Sequence, residues 1–563
     1  MRKLVGASWL ARLALPGIAA LALPTWAAQP VHARHAMVVT VEQHATDAGI
    51  AVLEAGGNAV DAAVAVGFAL AVTHPSAGNI GGGGFMLVRF ADGRATFIDF
   101  RERAPEKASR NMYLDASGKA TNDSVAGYRA AGVPGSVRGF EYASKKYGRK
   151  PWADVVAPAV ALAEKGFPVS YGFARSLRGS ADRLGQCPES KRIFLRDGNL
   201  YDAGETFVQP ELARTLRRIR EQGARDFYEG ETARLLAADM ERHGGVVTLA
   251  DLRDYAVVER APLTGTYRGY DIITSPPPSS GGPGILQMLG VLEGSGYQKS
   301  GAGSAAELHY LAETMRRYFA DRAVSMGDPD FVKVPLASLL DPAYLAQLRK
   351  SIDPEHATPS AQIHAGKPLA SESSETTHYS IVDADGNAVA VTYTLNFGYG
   401  DGVTVPGLGF LLNDEMDDFA AKPGEPNGFG LVQGEANAIQ PRKRPLSSMT
   451  PTIVTRGGKL ELVLGTPGGP TIINSVLQVL LNVVDFGMNV QDAVDFPRIH
   501  HQWLPDQLVM ERGFSPDTIA LLQARGHQVK TVGGMGEVAA IQVRDGWLEG
   551  APDPRTEGTA KGY

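Results

Sequence analysis

The chain has 563 residues, 44% hydrophobic and 21% charged, which suits a folded globular protein and excludes extended disorder. Its 55 basic and 61 acidic residues leave a formal charge of −6, with no basic run to hold a nucleic acid. The 65 glycines follow no collagen-like period and read as tight turns and close backbone approaches.

Arg2, Lys3 and Arg12 flank an apolar stretch at 13–23, and small residues follow at Thr25, Ala27 and Ala28. This is the layout of a secretory signal peptide over 1–28. The apolar stretch is too short to cross a hydrocarbon core of about 30 Å. Removing the segment takes three basic charges, so the mature chain carries −6 − 3 = −9. No later stretch is apolar enough for a membrane span. The protein is therefore expected to be exported, to the periplasm first of all, with full secretion as the alternative. Cys187 is the single cysteine, so no intrachain disulfide can form and a large core must supply the stability.

Residues 41–56 carry apolar residues at helical spacing, and 58–73 are small and apolar almost throughout, the mark of a buried helix. Asn58 or Asp61 is placed to cap it. The glycines at 81–84 read as a tight turn, and 85–90 and 95–100 as paired strands. The stretches 135–250 and 305–350 are mostly helical by pattern. Three prolines mark 276–284 (PPPSSGGPG) as a loop. Farther on, 377–383 and 388–395 alternate around Asp385-Gly386, a hairpin signal. A second pair, 451–456 and 459–465, meets at Gly457-Gly458. Residues 471–487 read as a buried helix, and Ser515-Pro516-Asp517 opens another. Hairpins outnumber strict strand–helix–strand alternation, so the class is α+β, antiparallel sheets with helices packed on them.

Metal-ligand motifs of the HExxH and CxxC kind are absent, and His500 and His501, adjacent on a strand, point to opposite faces. Gly81–Gly84 lacks the lysine of a phosphate-binding loop. The segment Glu375-Thr376-Thr377 stands between a polar stretch and the first strand of the hairpin. Taken singly, Thr376 is a strand residue, Arg101 a surface ion pair with Glu102 or Asp99, Asp417-Asp418 a solvated acidic turn, and Gly468-Gly469 a plain turn.

Longer segments change that reading. GGNAVDAAVAVGFALAVTHPSAGNIGGGGFMLV (56–88), IDFRERAP (98–105), TTHYSIVDADGNAVAVTYTLN (376–396), LLNDEMDDF (411–419), RPLSSMTPTIV (444–454), GTPGGP (465–470) and HHQWLPD (500–506) occur in this order. In them the chain resembles the γ-glutamyltranspeptidases (glutathione hydrolases), members of the N-terminal-nucleophile hydrolases. The resemblance implies a four-layer αββα sandwich. It implies autocatalytic cleavage between Glu375 and Thr376, giving a large subunit (29–375) and a small catalytic subunit (376–563) interleaved as a heterodimer. A threonine hydroxyl needs a base, and in this class the base is the residue's own α-amine, which only a cut can free. Thr376 is then the nucleophile, Thr394 the threonine that positions it, and Gly468 and Gly469 the oxyanion hole. Arg101, Ser447 and Ser448 match the groups that hold the substrate α-carboxylate, and Asn396, Glu415 and Asp418 those that hold its α-ammonium. Residues 422–430 match a loop covering the glutamyl pocket, with Phe429 where some members have tyrosine.

The implied activity is γ-glutamyl transfer from glutathione or related compounds to water or an acceptor amino acid, with no metal and no cofactor. Two rivals remain on sequence grounds. One is a cephalosporin (glutaryl) acylase on the same scaffold, and the other a non-catalytic envelope binding protein.

Overall fold

The computed structural model of the chain describes residues 28–363 and 376–563. All but the last residue of the expected signal peptide, and Glu375 at the expected cut, lie outside the described residues.

Two seven-stranded sheets form the centre. From edge to edge the first runs Val31–Ala33, Trp547–Pro552, Ala539–Arg544, Lys459–Gly465, Thr452–Arg456, Tyr270–Thr274, Leu263–Tyr267. The second runs Thr559–Gly562, Met37–Thr40, Thr377–Val382, Ala388–Thr394, Gly83–Arg89, Ala95–Phe100, Val258–Arg260. Every pairing in both sheets is antiparallel. Both predicted hairpins are present, joined at Asp385-Gly386 and Gly457-Gly458.

A helix layer covers each outer face. Ala59–Thr73 is buried at every position, as an all-apolar helix must be, and a capping box of Asn58 and Asp61 starts it. It lies on the second sheet, where Tyr379 and Tyr393 donate hydroxyl protons to its Ala63 and Gly67 carbonyls at 2.8 and 2.9 Å. Gly281–Leu292 and Thr471–Val484 cover the first sheet. The order helix, sheet, sheet, helix is the αββα sandwich. Phe85, Leu87 and Phe97 from one sheet meet Ile453, Val463 and Ile541 from the other in the core between them.

Two local expectations are corrected. Residues 281–284 are not loop but the first turn of Gly281–Leu292; Pro283 is tolerated there because the first turn's N–H groups need no helical partner. Gly81–Gly84 is not a turn with positive φ. A Cβ at Gly82 would come within 2.0 Å of the Thr394 carbonyl oxygen, and one at Gly84 within 2.4 Å of that of Thr392. The glycines let neighbouring backbone approach, and the strand already begins at Gly83.

Each sheet takes strands from both sides of residue 376. In the second, Thr377–Val382 is paired with Met37–Thr40, and Ala388–Thr394 with Gly83–Arg89. A chain cut before Thr376 keeps both sheets' ladders and cores. Its two pieces are expected to co-elute on gel filtration in native buffer and to separate only in denaturant; separation under native conditions would contradict the interleaving.

Candidate active site

The hairpin register places the central pair. Thr377 faces Tyr393 across the ladder, so one further step sets Thr376 opposite Thr394. Their hydroxyl oxygens lie 3.2 Å apart, with Thr376 buried. Thr394 is fixed from two sides. Its carbonyl accepts from Asn79 Nδ2 at 2.8 Å, and its Oγ1 accepts from the Asn396 N–H at 2.8 Å. Asn396 itself has φ of 83°, a left-handed backbone that asparagine tolerates better than most residues.

Thr376, Thr394, Arg101, Asn396, Glu415, Asp418, Ser447, Ser448 and Gly469 line one cavity. Gly468 lines a second, larger groove that also reaches Thr376. The residues singled out in the sequence thus converge from segments more than 300 positions apart.

Arg101 is fully buried and so is no surface pair. Its guanidinium donates to Glu415 Oε1 and Asp418 Oδ2, and lies 3.6 Å from Glu102 Oε2. Asp99 pairs instead with Arg260 at 2.8 Å and Arg444 at 3.3 Å. Burial disfavours the Arg101 charge, but Glu415, Asp418 and Glu102 outweigh it and raise its pKa. One cation facing three carboxyls leaves an acidic excess. Burial pushes Glu102 up to about 7 despite Arg101, and lifts Glu415 well above the ordinary carboxylate range.

Asp417 is buried as well, so the acidic pair is not a solvated turn. It accepts from Ser124 Oγ at 2.8 Å and from the Gly428 N–H at 2.9 Å, and burial pushes its pKa up to about 6. The Asp418 carbonyl accepts from Gln433 at 3.0 Å and Asn437 at 2.6 Å. The Ser447 Oγ accepts from the Met449 N–H at 3.0 Å, and Ser448 Oγ from Arg322 Nη2 at 3.4 Å.

Gly468 and Gly469 take φ of 130° and 53° between the strand Lys459–Gly465 and the helix Thr471–Val484. Among the described residues neither of their N–H groups donates to another group. They sit at a helix N-terminus, where the macrodipole favours negative charge.

Phe429, in the loop 422–430, is buried and lies flat on Phe397, with ring centroids 4.5 Å apart and planes 9° apart. The loop is therefore held at the cavity wall by an aromatic stack and the Asp417–Gly428 hydrogen bond, not by a tyrosine hydroxyl.

Sequence reasoning missed three supports. Arg322 donates to Ser280 Oγ at 2.9 Å as well as to Ser448, but it sits in an ordinary helical stretch with no motif around it. Phe397 carries no signal either. Asn79 lies inside the quoted 56–88 segment, whose glycine run was the available hint.

A family model for γ-glutamyltranspeptidase matches residues 45–563. The chain belongs to this family. It is 51% identical to the glutathione hydrolase proenzyme of Escherichia coli K12, over 94% of this chain and 91% of that one. Its fold matches a crystal structure of cephalosporin acylase from Bacillus halodurans with a TM-score of 0.85, at 29% identity, covering 96% of this chain and 97% of that chain. A γ-glutamyltranspeptidase structure from Helicobacter pylori matches at 46% identity and a TM-score of 0.57, covering 59% of this chain and 96% of that chain. The αββα architecture is thus shared with γ-glutamyltranspeptidase and acylase members of the N-terminal-nucleophile hydrolases.

Two outcomes follow from this geometry. Glu102 rises from 4.5 to about 7 on folding, so it contributes stability below its unfolded pKa that is lost as pH rises through about 7. Glu102→Gln removes that titration. Its melting temperature relative to the parent should climb by about 2 °C between pH 5 and pH 8 by calorimetry, and a constant difference would contradict the assignment. Phe397→Ala removes a stack worth about 0.5–1.5 kcal/mol. It should raise KM for a γ-glutamyl donor about 2- to 10-fold and leave kcat within about twofold.

Proposed function

We propose that this γ-glutamyltransferase and glutathione hydrolase works through Thr376 once that residue becomes an N-terminus, with glutathione and similar γ-glutamyl compounds as donors. The proenzyme names of its relatives support processing of one precursor into two subunits of a heterodimer. In this reading the cut falls between Glu375 and Thr376. In the precursor the Thr376 hydroxyl attacks the Glu375 carbonyl, and water opens the resulting ester, freeing an α-amine with pKa near 7.7–8.0.

In turnover that amine takes the proton from Oγ1 of Thr376 as the oxygen attacks the γ-carbonyl. Charge moves to the carbonyl oxygen, where the N–H groups of Gly468 and Gly469 are placed to receive it. One such donor is typically worth about 2.7–4 kcal/mol in the transition state. The tetrahedral species collapses, the C–N bond breaks, and the leaving amine takes the proton back from the α-ammonium. A γ-glutamyl ester remains on Thr376. Water or an acceptor amine then attacks it by the reverse proton path. Thr394, held by Asn79 and Asn396, keeps the hydroxyl aimed throughout.

The observation that carries the donor class is the charge at the cavity. Arg101 stands among Glu102, Glu415 and Asp418. An α-amino acid entering there brings its carboxylate to Arg101, Ser447 and Ser448, and its ammonium to Asp418, Glu415 and Asn396, so that each of its charges meets an opposite one while the net charge of the cavity is unchanged. A glutaryl group has no ammonium, so it adds a negative charge and gives Asp418 and Glu415 no cation to pair with. That weighs against a cephalosporin acylase despite the shared fold, because unpaired buried charge is costly. Clustered catalytic geometry weighs against a non-catalytic binding protein.

Among the described residues no helix is long and apolar enough to cross a membrane. The basic and apolar start of the chain supports export, with periplasmic residence as the simplest outcome.

Thr376→Ala should give one uncut chain on a denaturing gel and γ-glutamyl-p-nitroanilide hydrolysis at background. Asp418→Ala should lose at least about 10²-fold in kcat/KM for that donor. A variant at Thr376 with full activity, or an Asp418 variant that spares γ-glutamyl donors while gaining on glutaryl ones, would overturn the reading.

A further inference from the structure

Thr376 stands between two different spaces. On one side is the charged cavity described above, lined mostly by buried residues. On the other is an open groove of about 450 Å³, within the ~300–1,000 Å³ typical of small-molecule clefts. Its wall beside Thr376 is Gly468, one of the two glycines at the expected oxyanion hole. A donor whose acyl group fills the cavity must therefore send its leaving group into this groove.

The groove has few side chains with which to choose. Gly468, Gly533, Gly534 and Gly536 supply backbone only. Three charged residues remain. Arg555 is already engaged, donating from Nε to Glu511 at 2.8 Å and from Nη1 to Asp553 at 3.1 Å. Glu537 repels an anion. Arg175 is exposed, and no ion pair engages its guanidinium among the described residues. Its helix, Tyr171–Gly179, is nevertheless fixed in place. Ala174 and Leu177 are buried, and Ser176 Oγ lies 2.9 Å from the Tyr399 hydroxyl. An arginine on a fixed helix, facing a groove whose other cation among the described residues is already paired, is suited to bidentate capture of a carboxylate.

We propose that Arg175 is a specificity residue that binds the terminal carboxylate of the leaving peptide, and of the acceptor amino acid or dipeptide that replaces it. This rests on the γ-glutamyl reading and deepens it. Two extended residues span at most about 7 Å, so the glycine carboxylate of a departing cysteinylglycine falls within a groove of this size. The glycine walls impose little on the acceptor's side chain, so one carboxylate contact fixes orientation while side-chain identity stays open.

The test uses the processed enzyme and pairs of ligands with and without that carboxylate. Arg175→Ala is compared with the parent on glutathione against γ-glutamyl-p-nitroanilide as donor, and on glycylglycine against glycylglycinamide as acceptor. KM for glutathione and for glycylglycine should rise about tenfold, the worth of a hydrogen-bonded ion pair. Values for the anilide and the amide should stay within about twofold, and Arg175→Lys should restore part of the loss. Equal changes for both members of a pair would mark a structural role and overturn the proposal, as would no change at all. A parent enzyme that turns over no γ-glutamyl donor would instead bring down the underlying reading, and this proposal with it.

Discussion

The register of one hairpin governs the site. Thr377–Val382 and Ala388–Thr394 sit in the middle of a sheet, each with a second neighbour, Met37–Thr40 on one side and Gly83–Arg89 on the other. A one-residue slip would turn every side chain to the opposite face, exposing Tyr379 and Tyr393 to the wrong layer and breaking their bonds to the covering helix. The register is therefore fixed by packing several residues away from the chemistry. Its end point is the pair of hydroxyls at Thr376 and Thr394. Gly82 and Asn79 complete the placement, one by lacking a side chain, the other by holding the Thr394 carbonyl.

The second constraint is electrostatic. Three carboxyls around one buried guanidinium are a poor arrangement for stability, since each buried charge costs solvation that the single cation repays only in part. Burial accordingly raises Glu102 to about 7 and Glu415 well above its ordinary range. The same imbalance suits a zwitterion, whose carboxylate and ammonium complete two sets of partners at once. The cost is borne by the scaffold, and Phe429 of the loop 422–430 supplies an apolar part of the cavity wall.

Much of this was legible in the sequence, and the parts that were not share a cause. Helix Ala59–Thr73, both hairpins and helix Thr471–Val484 announce themselves through local periodicity, and the site residues through motifs that cluster near them. The edge strands Val31–Ala33, Val258–Arg260 and Thr559–Gly562 are too short to show a period, and their pairing is set by partners far away in sequence. Gly81–Gly84 reads as a turn in sequence because glycine has two uses, and only the neighbouring strand reveals which one applies. Arg322 and Phe397 were silent because their role lies wholly in what they touch. Whether Arg101 was buried or exposed was likewise undecidable from its immediate neighbours, two of which are acidic.

The two sides of Thr376 differ in kind, and the difference is a division of labour. On the acyl side, named charges and hydroxyls are buried and pre-aimed, so a donor lacking one group leaves another unpaired; discrimination there can be steep. On the opposite side glycine backbone and open solvent dominate, and little penalises one side chain over another. A hydrolase gains from such an open face because water can reach the ester. A transferase gains from it because many amines can. Which partner wins then depends less on exclusion than on whether an acceptor is held long enough to attack. If Arg175 holds the acceptor as proposed, that residence is set at the groove's rim and not in the charged cavity.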